Sequence, residues 1–185
     1  MEIYLIRHVP VDAEGLCYGQ VDVPLADGYE DALEALKQKM GDMDRYTIYS
    51  SDAERCRLTA QALAAGPVIE DVRLREMAFG DWENVEWEAI PKDALQHWSH
   101  DLLNIAPPGG ETCGQMLARV RELWQEMLAG GKPCVLVTHT GWIRLLLGDL
   151  LGMPVANAFS LNIDYCGVSR VVYHQGHFSI RYINR

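Results

Sequence analysis

Four short runs of β-forming residues, set apart by stretches with helical periodicity, constrain this chain more than any other feature of its sequence. Residues 2–6, 46–50, 68–72 and Cys134–Thr138 are rich in Ile, Val, Leu or Tyr, and each is expected as a buried strand. Between them, Tyr29, Leu33, Leu36 and Met40 keep one helical face, while Met116, Val120, Leu123, Trp124, Met127 and Leu128 keep another. Residues 142–151 are apolar nearly all round, as a helix buried against a sheet must be, and Gly152 and Pro154 then stop it. Strands alternating with helices imply an α/β fold, a three-layer α/β/α sandwich on a mixed, mostly parallel sheet. Val168–His174 and residues 178–183 flank Gln175 and Gly176, a hairpin that adds an antiparallel edge.

No break in composition divides the chain, so residues 1–185 are expected as one unit, with 49% hydrophobic residues to fill its core. The stretch at about 77–110 differs in texture, holding Trp82, Trp87, Trp98, Pro91, Pro107, Pro108, Gly109 and Gly110. It is expected as a covering insertion, which either carries binding groups over the sheet or packs toward solvent. A formal charge of −10 without a Lys/Arg cluster argues against nucleic acid or an anionic membrane as partner. A small-molecule phosphate monoester stays open if a few basic groups converge locally. The opening MEIYLIRHVP has too short an apolar run for a signal peptide and no basic region before it, so a cytoplasmic protein is expected. Cys17, Cys56, Cys113, Cys134 and Cys166 are scattered, odd in number and without a CxxC pair, which fits reduced packing thiols better than disulfides or a zinc site. Oligomeric state has no legible signal.

Chemistry-bearing residues collect just after the expected strands, where ligands bind in open α/β sheets. Arg7 and His8 follow the first strand, Arg55 follows the second at the start of a helix, Glu76 follows the third, and His139 follows the Cys134–Thr138 strand. Ser51 with Glu54 has the spacing of a capping box, and exposed helix N–H groups there would suit an anion. Two arginine forks could hold an equatorial phosphoryl group while charge builds on it. His97 and His100, three apart on an expected helix, could bind metal or simply lie on a solvated face, and His174 and His177 flank the hairpin turn.

Five ordered blocks carry a family resemblance. LIRH at 5–8, SSDAERC at 50–56 with Thr59-Ala60, LREMAFGDWE at 74–83, PGGET at 108–112 and VTHTG at 137–141 with Ile143-Arg144 together resemble the histidine phosphatase superfamily, which includes phosphoglycerate mutases. The resemblance implies that His8 is a nucleophile that becomes phosphorylated, that Glu76 is the proton donor and later the base, and that His139 donates to the phosphoryl oxygens. Arg7 and Arg55 would bind phosphate, with neither a metal nor another cofactor required. Residues 15–25, GLCYGQVDVPL, look like the version found in α-ribazole phosphatases of cobalamin biosynthesis. The expected function is therefore a metal-independent phosphomonoesterase that dephosphorylates α-ribazole 5′-phosphate in nucleotide-loop assembly, with Leu16, Tyr18 and the Trp82 to Trp98 region contacting the leaving group.

Two alternatives stay open beside it: a broad-specificity phosphatase or phosphoglycerate mutase-like enzyme, and an inactive module that binds phosphorylated ligands. Mutases of the family resemble longer chains, and the joint presence of His8, Glu76 and His139 argues against an inactive module. One departure stands out. Most family members have Gly where this chain has Val9, and the usual Asn a few residues after the nucleophile is missing. A β-branched residue tolerates unusual backbone angles poorly and Pro10 offers no N–H, so a differently shaped phosphate loop is expected.

Overall fold

The computed structural model describes all of residues 1–185. Its main sheet contains β1 (Glu2–Arg7), β3 (Thr47–Ser50), β4 (Ile69–Glu70), β6 (Cys134–Thr138), β7 (Val168–His174) and β8 (His177–Tyr182), in the order β4-β3-β6-β1-β7-β8. The first four run parallel, β7 pairs antiparallel with β1, and β8 pairs antiparallel with β7. A separate two-stranded ribbon pairs β2 (Leu16–Cys17) with β5 (Val85–Glu86). This is the mixed α/β sandwich that the alternating pattern implies.

Alternation along each strand sends its side chains into two cores. Ile3 and Leu5 of β1, with Cys134 and Leu136 of β6, pack against α4 (Cys113–Gly130) and α5 (Thr140–Leu150) through Met116, Val120, Leu123, Trp142 and Leu146. Ile6, Val135 and Val137 face the opposite way, onto α1 (Tyr29–Met40) and α2 (Glu54–Leu63), where Leu36, Cys56, Ala60 and Leu63 meet them. Every residue of β6 is buried, as expected of a central strand covered on both faces. Of the remaining helices, α6 (Val155–Ala158) packs against α5, and α3 (Lys92–His100) sets Trp98 against the same core. No helix is long and apolar enough to cross a membrane.

Residues 68–72 depart from the buried strand expected there. Only Ile69 and Glu70 pair with β3, and both are exposed on the sheet edge. The Asp71 carboxylate accepts the Arg73 N–H at 2.8 Å, which turns the chain into a single helical turn over Val72–Leu74. The hairpin turn forms at Gln175 and Gly176, both with positive φ (48° and 84°), the geometry that a two-residue hairpin loop requires. His174 and His177 pair across it and are exposed.

Candidate active site

Sheet register alone brings the two histidines together. Arg7 of β1 is level with Thr138 of β6, so His8 and His139, each one residue further on, leave the sheet side by side. Ser50 of β3 is level with Val137, which places Ser51 beside them. The His8 and His139 rings lie 5.2 Å apart at 63°, and each residue is 1% exposed.

The hydrogen bonds fix both tautomers. His8 Nδ1 lies 2.7 Å from the Val9 carbonyl, which can only accept, so Nδ1 carries the proton and Nε2 keeps its lone pair. Arg55 Nη2 donates toward His139 Nδ1 at 3.4 Å, so His139 carries its proton on Nε2 and donates it to Ser51 Oγ at 3.0 Å. Burial, and then the charges of Arg55 and Arg7, push the His8 pKa well below the ordinary 6.5. Burial, followed by His8 and Arg55, does the same to His139. Both rings are neutral at physiological pH.

This neutrality makes stability depend on pH with a definite sign. Each ring binds a proton more readily in the unfolded chain than in the folded one. The stability linked to the two rings is thus fully present above pH 6.5. It is lost as pH falls from there toward the lower folded-state values, at about 1.4 kcal/mol per pH unit for each ring. Urea unfolding compared at about pH 7.5 and about pH 5.5, a range in which carboxylates stay ionised, should show a loss of roughly 2–3 kcal/mol. The loss should be roughly halved in His139→Gln, and a flat wild-type profile would contradict the neutral assignment.

The two arginines are held differently. Arg7 Nη1 donates to the Ile163 carbonyl at 2.7 Å, and its guanidinium lies 3.7 Å from the Tyr165 ring centroid. Arg55, the second residue of α2, is 1% exposed and donates to the carbonyls of Val21 (2.9 Å) and Gly19 (2.8 Å), with Asp22 at 3.5 Å. The Nε group of each is buried without a protein acceptor. The capping box expected at Ser51 does not form. Ala53 is the N-cap, Ser51 Oγ accepts from His139, and the Glu54 N–H is taken by Asp22 at 2.9 Å, which closes that helix end to an anion. The reciprocal box occurs instead at Thr112 and Gln115, opening α4.

Glu76 is half-buried and clasped from behind. Arg119 of α4 donates to the carbonyls of Arg73, Arg75 and Glu76 at 2.8, 2.6 and 3.0 Å. The Glu76 carboxylate accepts the N–H groups of Met77 and Gly141, both at 3.0 Å. A side chain at Gly141 would collide with that carboxylate, which accounts for glycine in the first turn of α5.

Arg7, His8 and Glu76 share a cavity of about 290 Å³. Arg55 and His139 do not line it but pack directly behind His8. The cavity wall is largely apolar and aromatic, with Leu16, Tyr18, Phe79, Trp87, Trp98 and Phe159. Residues 77–110 thus supply Phe79, Trp87 and Trp98. Trp82 does not reach the cavity, contrary to its expected contact with the leaving group. It is 7% exposed and packs with Cys17 and Ile90, because the β2–β5 ribbon folds over it.

Two further side chains, to which the sequence assigns no role, shape the cavity. Arg144 lines the cavity one helical turn after Thr140, a spacing that could have marked it. It donates Nε to the Leu161 carbonyl at 2.7 Å, and burial lowers its pKa. Glu83 accepts N–H groups from Gln20, Val21 and Phe79, tying the Tyr18 loop to the aromatic wall, and nothing in its spacing signals this. Elsewhere, His97 and His100 are exposed on α3, no cluster of three or more metal-ligating side chains occurs, and all five cysteines are buried free thiols.

Val9 is fully buried in the second core without positive φ, so the β-branched side chain brings no backbone strain to the loop. Its N–H is already bound to Thr59 Oγ1 at 3.0 Å.

The chain is similar in sequence and fold to several known proteins. A glucosyl-3-phosphoglycerate phosphatase of Mycolicibacterium vanbaalenii is 33% identical over 172 residues, covering 84% of this chain and 76% of the relative. A Shigella boydii protein named "probable phosphoglycerate mutase" is 30% identical over 188 residues, 95% of this chain and 86% of its own. The solved α-ribazole phosphatase from Shigella flexneri matches with a TM-score of 0.88 at 27% identity, over 100% of this chain and 96% of that one. The model of the histidine phosphatase superfamily (branch 1) matches residues 3–185, and on that match the chain belongs to this superfamily.

Proposed function

We propose that this chain is a phosphomonoesterase that works through a phosphohistidine at His8, with α-ribazole 5′-phosphate as its substrate. The observation that carries the reaction type is the state of His8. Its ring is neutral, its Nδ1–H is held by Val9, and its Nε2 has no protein partner at a cavity shared with Arg7 and Glu76. Nε2 attacks phosphorus and the ester oxygen leaves with a proton from Glu76. Water, deprotonated by Glu76, then cleaves the N–P bond and frees His8. Arg7 balances the phosphoryl charge through a donor that has no protein acceptor, and Arg55 adds its charge from behind His8. His139 joins them once its Nε2–H exchanges Ser51 Oγ for a phosphoryl oxygen.

The substrate assignment rests on the aromatic wall and on the likeness to the Shigella flexneri enzyme. Trp87 and Trp98 stack at 26° with 6.3 Å between centroids, beside Phe79. The Trp98 indole N–H is buried without an acceptor, a donor that a ring nitrogen of the leaving group would satisfy. Trp87→Ala and Trp98→Ala are expected to raise KM for α-ribazole 5′-phosphate about tenfold, the worth of one aromatic contact, with little change for methyl phosphate. Equal effects on both esters would contradict the assignment. A second reading rests on Arg144, a basic group on the cavity wall outside the phosphate clamp, which would suit a leaving group bearing a carboxylate. Comparing kcat/KM for α-ribazole 5′-phosphate with that for phosphoglycerate esters decides between them.

A further inference from the structure

The loop after His8 has at most one backbone donor, the Val11 N–H, to spare for a phosphoryl group. The His8 N–H is bound to the Thr138 carbonyl at 3.1 Å, the Val9 N–H to Thr59, and the Asp12 N–H to the Pro24 carbonyl at 2.8 Å. Pro10 has no N–H, and the bridge between Val11 and Leu25 is closed by the Asp12 and Ala26 N–H groups, which leaves the Val11 N–H without a protein acceptor. Arg55 has committed its Nη groups to Val21, Gly19 and His139, and Arg7 has committed Nη1 to Ile163. A transferring phosphoryl group spreads its charge over three equatorial oxygens, all of which need donors.

Two tyrosines stand at this point. The Tyr165 ring lies on the Arg7 guanidinium, with its centroid 5.5 Å from that of His8. The Tyr18 ring centroid is 5.4 Å from the Arg55 guanidinium carbon. Their hydroxyls meet at 2.8 Å, and the Tyr18 hydroxyl also lies within hydrogen-bonding reach of Arg7. One bond between two phenols uses one proton and leaves the other free. Tyr18 lines the cavity with Arg7 and His8. Burial and the bond to Tyr165 raise its pKa, so the hydroxyl remains a donor at neutral pH.

We infer that Tyr165 donates its hydroxyl proton to Tyr18, and that Tyr18 directs its own O–H onto a phosphoryl oxygen during transfer to and from His8, in place of the donors that the loop lacks. This rests on the phosphohistidine reading above. Tyr18 is then a catalytic residue and Tyr165 a positioning residue that fixes the direction of its proton.

Tyr18→Phe and Tyr165→Phe keep both rings, and so the arginine stacking, while removing one oxygen each. The measurements are kcat/KM on p-nitrophenyl phosphate and α-ribazole 5′-phosphate, with inhibition by orthovanadate, a five-coordinate mimic, set against inhibition by inorganic phosphate. Tyr18→Phe should lower kcat/KM on both esters on the order of 100-fold and weaken vanadate far more than phosphate. Tyr165→Phe should cost about tenfold, and the double variant should be no worse than Tyr18→Phe alone. If the pair serves only to hold two loops together, both variants lose thermal stability equally and the vanadate-to-phosphate ratio stays at the wild-type value. That result overturns the inference and leaves the phosphatase reading intact. A wild-type protein that neither hydrolyses these esters nor binds vanadate overturns both.

Discussion

His8→Ala is expected to lower kcat by about 10⁴-fold or more, the largest effect of any single substitution in this chain. The His8 Nε2 lone pair is unprotonated and has no protein partner, whereas His139 has both ring nitrogens engaged. Without it the phosphoryl group has no covalent acceptor, and only direct attack by water within the arginine clamp remains. The fold should survive. His8 contributes one side-chain hydrogen bond, to Val9, while the β1–β6 pairing that positions it is made by the backbone. Single-turnover kinetics beside far-ultraviolet circular dichroism separate the two effects, and a variant that stays folded with more than a tenth of wild-type turnover would exclude His8 as nucleophile.

Arg55→Lys, conservative in charge, is expected to damage both stability and activity. The guanidinium is 1% exposed and serves two carbonyls, Gly19 and Val21, which belong to the loop carrying Tyr18. A single ammonium on a flexible stem cannot reproduce that fork, so at least one buried carbonyl loses its donor. The expected cost is about 1–3 kcal/mol, read by urea unfolding, since the half-exposed Asp22 partner adds little. Activity should fall further, on the order of 100-fold in kcat/KM, because on the proposed mechanism the same substitution disturbs the positive charge behind His8 and loosens the loop that carries Tyr18. Wild-type values for both quantities would show that charge alone suffices at this position.

The layering of the sheet could be read from the chain because burial on both faces demands unbroken apolar runs, as in Cys134–Thr138, and helices above them need one apolar stripe. Register could not. Nothing in the sequence levels Arg7 with Thr138, yet that alignment is what turns two distant histidines into neighbours. The two Ser/Thr-x-x-Glu/Gln patterns show the same limit. They are equivalent on paper, but Thr112 sits at a helix N-cap while Ser51 is two residues short of one and faces His139.

Residue type also failed to separate the tryptophans. Trp82 and Trp87 lie five positions apart, and only the β2–β5 ribbon, two residues per strand, decides which is core and which is wall. Tyr165 left no trace, since an irregular segment before β7 carries no periodicity from which to infer its direction. Family resemblance singled out the candidate site residues, and the structure adds what each is bonded to. Three of them line the cavity, and two support His8 from behind.

The most direct test of the phosphohistidine at His8 is a rapid-quench trap with a radiolabelled phosphate ester, stopped in alkali, where a histidine N–P bond survives, and followed by proteolysis and peptide mapping. The expected result is a label that appears before steady state, is lost on brief acid treatment, maps to the peptide containing His8 and is missing from His8→Ala. Full turnover with no covalent label, or a label on His139, would contradict it.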